Sequence, residues 1–529
     1  MYPNGKYKVT DCEKSETDKY GVMVSVWTVD GRFKSDWNNT IVQKEFSYSE
    51  AIDLAGTGRY TIGLVATTSL ALLAMSVDMF SFSTVVALAS CDFYLTHAQT
   101  QVLLSIPFLG PIIMAYTWGY VSDTTGRRRS LLVGMSVSFC MSVLCAFAPN
   151  WIALAIFKLI GTCFCSCAQS VVYALLGESC SERMKGTFLL IMTSVIHLGM
   201  GSYFGLAYLI GYLEFSINLG FISFVSWRLY VLLLALPLGL SAVSLLFFYE
   251  SPKFLLNVGR ENEALQVLEM ICKRNRGGYY PVKKVVLEED GNVAQKTLPL
   301  LSSLWQQTAP LFRPPLLPRT VLLYCLIFIV YSTSSCLFVW LPFLANDFSR
   351  AISSSSDEHS GICYVIAQGE EAGLNNGVEC TSKIGLPVVI FSVSVSLIFA
   401  FLNILMSRLA ARKKTLMLVI LSSSTACCFG AMYIPDNLTS LIMYFGIAAD
   451  SLCMGIVFTY CVDFYPTSFR GMGTCLGVMV ARISSIFGVN LVGSYITWHC
   501  ARAFYALTAL ISSGVVLASL LPSDGVKKI

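Results

Sequence analysis

Gly119-Tyr-Val-Ser-Asp123-Thr-Thr-Gly126-Arg127-Arg128-Arg129 is a short polar stretch between two long apolar runs. Its glycines allow a tight reversal of the chain, and Asp123 can cap a helix or pair with an arginine. Three adjacent arginines are typical of a cytoplasmic loop, because positive charge keeps a loop on that side of the membrane. The stretch therefore predicts a hairpin between two membrane helices, with its turn in the cytoplasm.

The composition indicates a membrane protein rather than a soluble one. Of the 529 residues, 55% are hydrophobic and only 13% are charged, about half the charged fraction of a globular protein. We therefore expect a lipid bilayer as its surroundings. The net charge of +4 is small and dispersed, which excludes nucleic acid as a partner. Most of the 19 cysteines lie in apolar runs and are interpreted as small hydrophobic residues, so neither a metal site nor a cofactor is predicted.

Twelve apolar runs are long enough to cross a bilayer as helices, which requires about 20 residues. They are predicted at Thr61–Val85, Gln99–Val121, Leu131–Ala148, Ile152–Leu176, Thr187–Tyr212, Leu229–Tyr249, Thr320–Leu341, Leu386–Met406, Thr415–Tyr433, Leu438–Cys461, Met472–Tyr495 and Ala503–Leu521. The predicted fold class is an all-α membrane protein with two six-helix halves.

These runs divide the chain into a few regions. The predicted regions are a tail at 1–59, a six-helix half at 60–249, a linker at 250–318, a second half at 319–521 containing an outward loop at 342–385, and a tail at 522–529. In the linker, Arg260 to Arg276 has the apolar periodicity of an amphipathic helix. The short even-numbered loops hold ten lysines and arginines against four in the outward loops and helix ends, which predicts that both termini are cytoplasmic.

An internal repeat supports the two halves. Gly126-Arg127-Arg128-Arg129 is followed 285 residues later by Ala411-Arg412-Lys413-Lys414. The loop with Glu178 and Lys185-Gly186 is followed at the same offset by Asp463 and Arg470-Gly471. Agreement of two loops at one offset predicts homologous halves, with a substrate site between them near the membrane midplane.

The loop pattern Gly-x3-Asp-x2-Gly-Arg resembles the loop 2–3 signature of the major facilitator superfamily. Four further segments resemble its branch of synaptic vesicle glycoprotein 2 and related proteins, whose relatives are organic cation and sugar transporters. They are Phe46–Tyr60, Ser226-Trp227-Arg228, Glu250-Ser-Pro-Lys-Phe254 and Phe464–Gly471. The chain departs from that branch in the first helix, where Met75 replaces the first of two acids and Asp78 keeps the second. Lys158 replaces the helix 4 arginine of the superfamily.

The resemblance also implies a charge network at the cytoplasmic ends of the helices that latches the two halves together. Such a network would set a conformational equilibrium rather than bind substrate. Its expected members are Gly119, Asp123, Gly126, Arg127, Arg128, Lys158, Glu178, Arg183, Asp463 and Arg470.

Four polar residues within the apolar runs are candidates for a substrate or proton pathway, because charge inside a membrane is costly. Asp78 could bind a cation or carry a proton, or it could be a structural acid paired across the bundle. His197 and Arg482 are related by the 285-residue offset and could face an anionic substrate group or Asp78, or pack as a helix pair. Histidine can also carry a proton near neutral pH. Asp450 is either a coupling or specificity residue or an acid at a wet outer helix end.

Cys363 and Cys380 differ from the other cysteines because they lie in the hydrophilic outward loop. Oxidation is feasible on that side of the membrane. A disulfide between these two cysteines and a pair of free thiols are the two alternatives.

We predict secondary active transport of a small organic solute by alternating access, with protons as a candidate coupling ion and the monomer as the transport unit. The chain has no Gly-x4-Gly-Lys-Ser/Thr loop for ATP, and no catalytic constellation suggests an enzyme. The alternative is a vesicle protein that uses the fold as a binding scaffold without transport. A channel is disfavoured because the repeat suits alternation. The plasma membrane and an intracellular vesicle membrane both stay open as locations.

Overall fold

Helices make up nearly all of the part of the chain that the computed structural model describes. Within that part, twelve helices are long and apolar enough to cross a membrane, which confirms the predicted number. The described residues are 46–522 except 214, 219, 221–222, 278–279, 287–307, 354–362, 364–384, 409–411, 435, 466 and 496–498.

The spanning helices are named span 1 to span 12 in chain order. In the first half, spans 1 to 6 are Arg59–Phe80 continued by Phe82–Phe93, His97–Thr125, Arg127–Ala146, Trp151–Cys165 continued by Cys167–Ser179, Glu182–Ile196 continued by Leu198–Gly211, and Ser226–Leu245. In the second half, spans 7 to 12 are Leu317–Ser353, Leu386–Arg408, Lys413–Tyr433, Asn437–Ala448 continued through a 3₁₀ turn by Cys453–Phe464, Thr467–Tyr495 and Cys500–Ser519.

Short elements lie outside the spans. Before span 1, Ser47 caps the helix Tyr48–Ala55 in a capping box with Glu50. Helices at Pro252–Asn257 and Glu261–Asn275 follow span 6, and a 3₁₀ helix at Ala309–Phe312 precedes span 7. The helix Glu261–Asn275, called the linker helix below, lies where the amphipathic pattern predicted one and buries Ala264, Leu268 and Ile271. Two small sheets pair Phe46–Ser47 with Val285–Val286 in parallel and Ser216–Asn218 with Ser223–Val225 in antiparallel fashion.

Several spans are interrupted near their middle. Span 1 breaks at Ser81, span 4 at Ser166 and span 5 at His197, while span 10 contains the 3₁₀ turn Ala449–Leu452. The breaks in spans 4 and 10 are related by the 285-residue offset, because Ser166 corresponds to Ser451 within that turn. The repeat read from the loops therefore extends into the helices.

In the described part of the chain, the two halves contact each other mainly along two pairs of spans. Span 2 packs on span 11, and span 5 packs on span 8. The Asn490 amide of span 11 donates a 2.8 Å hydrogen bond to Ser105 Oγ of span 2. The backbone N–H of Gly201, in the turn after the break of span 5, donates a 2.8 Å bond to Ser396 Oγ of span 8. Small and hydroxyl-bearing residues thus hold the interface at close range.

Glycine allows the closest approach between two spans of the second half. A Cβ atom on Gly488 of span 11 would lie 2.0 Å from the carbonyl oxygen of Ser332 in span 7. The two backbones touch there, so no larger residue fits without moving a helix.

Candidate functional site

The charged cluster at loop 2–3 is centred on Arg127. Its Nη1 atom lies 2.7 Å from Asp123 Oδ1 and donates a 2.6 Å bond to the carbonyl of Ser122. Its Nε atom lies 3.2 Å from Glu178 Oε2, at the end of span 4. Gly126, which precedes it, has φ = +112°, a conformation that side chains disfavour. The cluster therefore joins loop 2–3 to loop 4–5.

Glu250 completes the same cluster, although the sequence analysis did not count it as a site residue. Its carboxylate accepts the backbone N–H groups of Arg128 at 2.8 Å and Arg129 at 3.3 Å. The Arg128 guanidinium in turn donates to the carbonyls of Leu245 and Leu246 at the end of span 6. Glu250 satisfies free N–H groups at the start of span 3, and Arg128 satisfies free carbonyls at the end of span 6. Glu250 belongs to the Glu-Ser-Pro segment that the sequence analysis singled out for its family resemblance, so that segment could have indicated a role for it.

The segment before span 1 is fastened to the same side of the first half. The hydroxyl of Tyr48 donates to the carbonyl of Glu178, and burial and the charge of Glu178 raise the pKa of Tyr48 well above its usual value. The amide oxygen of Asn275, from the linker helix, accepts the N–H groups of Tyr60 at 3.1 Å and Thr61 at 3.2 Å. These bonds cap the start of span 1 with a residue of the linker helix.

The predicted latch is only partly described. The contacts of Asp123, Arg127, Arg128 and Glu178 given above lie within the first half and the segments that flank it. Arg183 is exposed, and the site of Gly119 is open. The side chains of Asp463 and Arg470, which belong to the second half, lie outside the described part. A latch between the halves at this level stays a prediction.

Lys158 is a correction to the predicted latch, because it does not lie with loop 2–3. It is in the first part of span 4, which begins at Trp151 on the opposite side of the membrane from that loop. Its Nζ atom lies 2.8 Å from Asp78 Oδ1 and donates a 2.6 Å bond to the carbonyl of Asp78. The family resemblance assigned Lys158 to the latch but did not indicate that Asp78 is its partner.

Asp78 and Lys158 form a buried ion pair inside the first half. The two side chains are only 7% and 6% exposed. Ser142 of span 3 donates a 3.0 Å bond to Asp78 Oδ1, and the ring centroid of Phe82 lies 4.9 Å from Lys158 Nζ. A small recess beside the pair is also lined by span 6, through Val231 and its neighbours. Of the two alternatives for Asp78, the acid paired across the bundle is the arrangement observed, and spans 1, 3, 4 and 6 surround it.

Arg482 connects the two halves near the middle of the spans. It lies near the middle of span 11 and is 4% exposed. Its Nη2 atom donates a 2.9 Å bond to the amide oxygen of Gln169 in span 4, and Nη1 lies 3.3 Å from the sulfur of Met79 in span 1. Its Nε atom has no hydrogen-bond partner in the described part of the chain. Gln169 and Met79 escaped the sequence analysis because uncharged residues in an apolar helix give no signal.

His197 and Asp450 lie apart from these two centres. The His197 ring packs edge-on against Phe399 of span 8, with centroids 6.4 Å apart, and so touches the interface between the halves. Asp450 is fully buried in the 3₁₀ turn of span 10, where it accepts a hydrogen bond from Thr333 of span 7. Its second oxygen has no partner among the described residues. The alternative of a wet helix end for Asp450 is therefore wrong.

Neither alternative for Cys363, a disulfide with Cys380 or a free thiol, is observed. Cys363 forms a disulfide with Cys500, the first residue of span 12, with Cα atoms 5.5 Å apart. Cys380 lies outside the described residues. Cys363 and Cys500 are 137 residues apart in sequence. Sequence position alone therefore gave no reason to pair them.

Residues 68–489 match the Major Facilitator Superfamily. The chain belongs to this superfamily. The match runs from within span 1 to within span 11, and so includes most of both halves and the loop motifs.

Two relatives place the chain within that superfamily. It is 24% identical over 478 residues to "Organic cation/carnitine transporter 7" of Arabidopsis thaliana, covering 83% of this chain and 87% of the relative. It is 30% identical over 230 residues to "Synaptic vesicle glycoprotein 2C" of Mus musculus, covering 43% of this chain and 32% of that protein. Similarity to both groups confirms the predicted branch.

The fold is also that of a solved member of the superfamily. The inward-open xylose transporter XylE from E. coli superposes with a TM-score of 0.62, covering 89% of this chain and 98% of XylE at 14% identity. At that identity the likeness concerns the fold alone, and it confirms the predicted major facilitator architecture.

Proposed function

We propose that this chain is a secondary transporter that moves a small organic solute by alternating access, with the solute bound between the halves around Arg482. The observation that carries the proposal is the Arg482 contact itself, which joins span 11 to Gln169 and Met79 of the other half. A charged side chain at mid-membrane is rare unless it serves a pathway. A solute held there would touch both halves.

The interface has the properties that alternation requires. Several of the contacts that cross it are hydrogen bonds between neutral groups, such as Asn490 to Ser105 and Gly201 to Ser396. Such bonds can be exchanged for others at a net cost of about 1 kcal/mol each. Breaks in spans 1 and 5, at Ser81 and His197, offer places where a helix can bend.

We further propose that the Asp78–Lys158 pair couples transport to protons. A proton on Asp78 would remove the negative charge 2.8 Å from Lys158 Nζ. The lysine would then keep the carbonyl of Asp78 and the Phe82 ring as partners. Because a buried charge needs compensation, protonation of Asp78 would shift the packing of spans 1 and 4.

The distribution of lysine and arginine supports a further proposal, that both termini face the cytoplasm. Tags at the two ends, probed with antibodies before and after the membrane is permeabilised, test this orientation. We also propose that a single chain is the transport unit, since both halves of the solute site come from one polypeptide. Light scattering of the purified protein tests that proposal.

Transport is tested with purified protein in proteoliposomes, by uptake and charge movement under an imposed pH gradient. We expect wild type to move at least one class of amine, sugar or organic anion. The variant Asp78→Asn should lose dependence on the pH gradient. Uptake by wild type that does not depend on the pH gradient would refute proton coupling but would still support transport. Silence across all classes, from well-folded protein, would refute transport and favour the binding scaffold.

A further inference from the structure

We infer that the transported solute carries an anionic group, a carboxylate or a group of equivalent charge, which binds to the guanidinium of Arg482. The inference rests on the proposed transport function and specifies the chemical class of its substrate. It starts from the unbalanced charge of Arg482 in this structure.

Arg482 is a buried cation whose described partners are all uncharged. A guanidinium has five N–H donors, and here they meet an amide oxygen of Gln169 and a thioether sulfur of Met79, while Nε meets no acceptor among the described residues. Removing a charge from water without a counter-charge is costly. Asp78 cannot supply that counter-charge in this state, because it is engaged by Lys158 and Ser142.

The other buried cations in the described part of the chain show the contrast. Lys158 has Asp78, and Arg127 has Asp123 together with Glu178. Each is neutralised within the first half. Arg228 donates to two carbonyls at the end of span 3, Ala146 and Ala148, where the negative end of the helix dipole favours a cation, and Asp92 adds its charge. Arg482 has no acid among its described hydrogen-bond partners.

The present partners of Arg482 are ones that an anion can replace. Hydrogen bonds between two charged groups are roughly twice as strong as bonds between neutral groups, and the planar guanidinium matches a carboxylate in two parallel bonds. A carboxylate that displaces the oxygen of Gln169 would leave the amide of Gln169 free to donate to the same ligand. Arg482 comes from one half and Gln169 from the other. The anion would therefore be held by both halves at once.

The first experiment does not require the solute to be known. A small-molecule extract of cells is divided by ion exchange into anionic, neutral and cationic fractions, and each is offered to proteoliposomes whose contents are then identified by mass spectrometry. We expect a compound of the anionic fraction to accumulate at least tenfold over empty liposomes. Arg482→Gln should lose this accumulation. Arg482→Lys keeps the charge but not the planar guanidinium with its two parallel donors, and should keep part of the accumulation.

Each outcome separates the inference from the proposed function. Uptake confined to the cationic or neutral fraction would overturn the inference and leave transport standing. Anion uptake that survives Arg482→Gln would also overturn it. Absence of uptake from all three fractions, by protein that elutes as a single species, would refute the proposed function, and the inference with it.

A second variant supplies the missing charge from within the protein. Gln169→Glu places a carboxylate 2.9 Å from Arg482 with little change of shape. If Arg482 awaits an anion, this variant should reduce anion uptake to the level of empty liposomes and raise the melting temperature of the purified protein. The control Gln266→Glu, on the exposed face of the linker helix, should behave as wild type. Undiminished anion uptake by Gln169→Glu would overturn the inference.

Discussion

Removing one member of the Asp78–Lys158 pair should destabilise the first half strongly, and removing both should destabilise it much less. The variant Lys158→Met keeps most of the length of the side chain and deletes its charge. Asp78 then retains Ser142 as the described donor to its carboxylate, in a site where its side chain is 7% exposed. A carboxylate left alone in such a place is disfavoured.

The magnitude is limited by proton uptake. Rather than stay charged, the isolated carboxyl group can take a proton, which costs an aspartic acid about 4 kcal/mol at pH 7, or about 1.4 kcal/mol per pH unit above its ordinary titration range. This limit agrees with the loss of about 3–5 kcal/mol found when one partner of a buried pair is removed. We therefore expect Lys158→Met to lower the free energy of unfolding by about 3–4 kcal/mol at pH 7, and by less at pH 5.

Asp78→Asn should cost less than Lys158→Met, because Lys158 keeps the backbone carbonyl of residue 78 and the Phe82 ring. The double variant places two neutral groups in the site, and pairs replaced by neutral side chains are often tolerated. Its loss should fall below the sum of the single losses by about 2 kcal/mol or more. Unfolding in mixed micelles, followed by tryptophan fluorescence at pH 5 and pH 7, measures all four proteins. Additive losses, or a loss for Lys158→Met that does not change with pH, would refute this reasoning.

Three further predictions follow from contacts at other sites. Gly488→Ala should separate spans 7 and 11 and cost about 1–3 kcal/mol or more through overpacking, whereas Gly455→Ala, where a Cβ atom meets nothing within 4 Å, should melt as wild type does. Mass spectrometry of unreduced peptides should find Cys363 joined to Cys500; a bond from either one to another cysteine would contradict the structure. Glu178→Gln should weaken the Arg127 cluster and make loop 4–5 more sensitive to protease than in wild type, and equal digestion rates would count against the cluster.

The fold was predictable because the bilayer requires long apolar segments, which can be recognised directly in the sequence. Apolar runs of sufficient length mark the spans, and the arginines of loop 2–3 mark a connection between them. The helix ends differ by several residues; span 1, for example, continues to Phe93 beyond the predicted Val85. Backbone hydrogen bonds carry a helix beyond its apolar segment. The break at Ser81 was not predicted, because serine is ordinary in membrane helices.

The site was predictable in its charged members and not in their partners. Asp78, Lys158 and Arg482 stand out because charge is rare in apolar runs, yet nothing in a sequence indicates which helix faces which. Lys158 was placed with the wrong cluster for this reason. Gln169 and Met79 are recognised only when three-dimensional packing brings them to Arg482. An uncharged partner cannot be recognised from the hydropathy of the sequence.

The proposed proton site and the proposed solute site meet at two consecutive residues of span 1. Asp78 faces into the first half, toward Lys158, and Met79 faces the second half, toward Arg482. Successive residues of a helix point about 100° apart, so one short segment can touch two centres. A rotation of span 1 that follows loss of charge at Asp78 would move the Met79 sulfur away from the Arg482 guanidinium. Proton binding inside one half and anion binding between the halves would then be linked through a single turn of helix, with no other residues needed to connect the two sites.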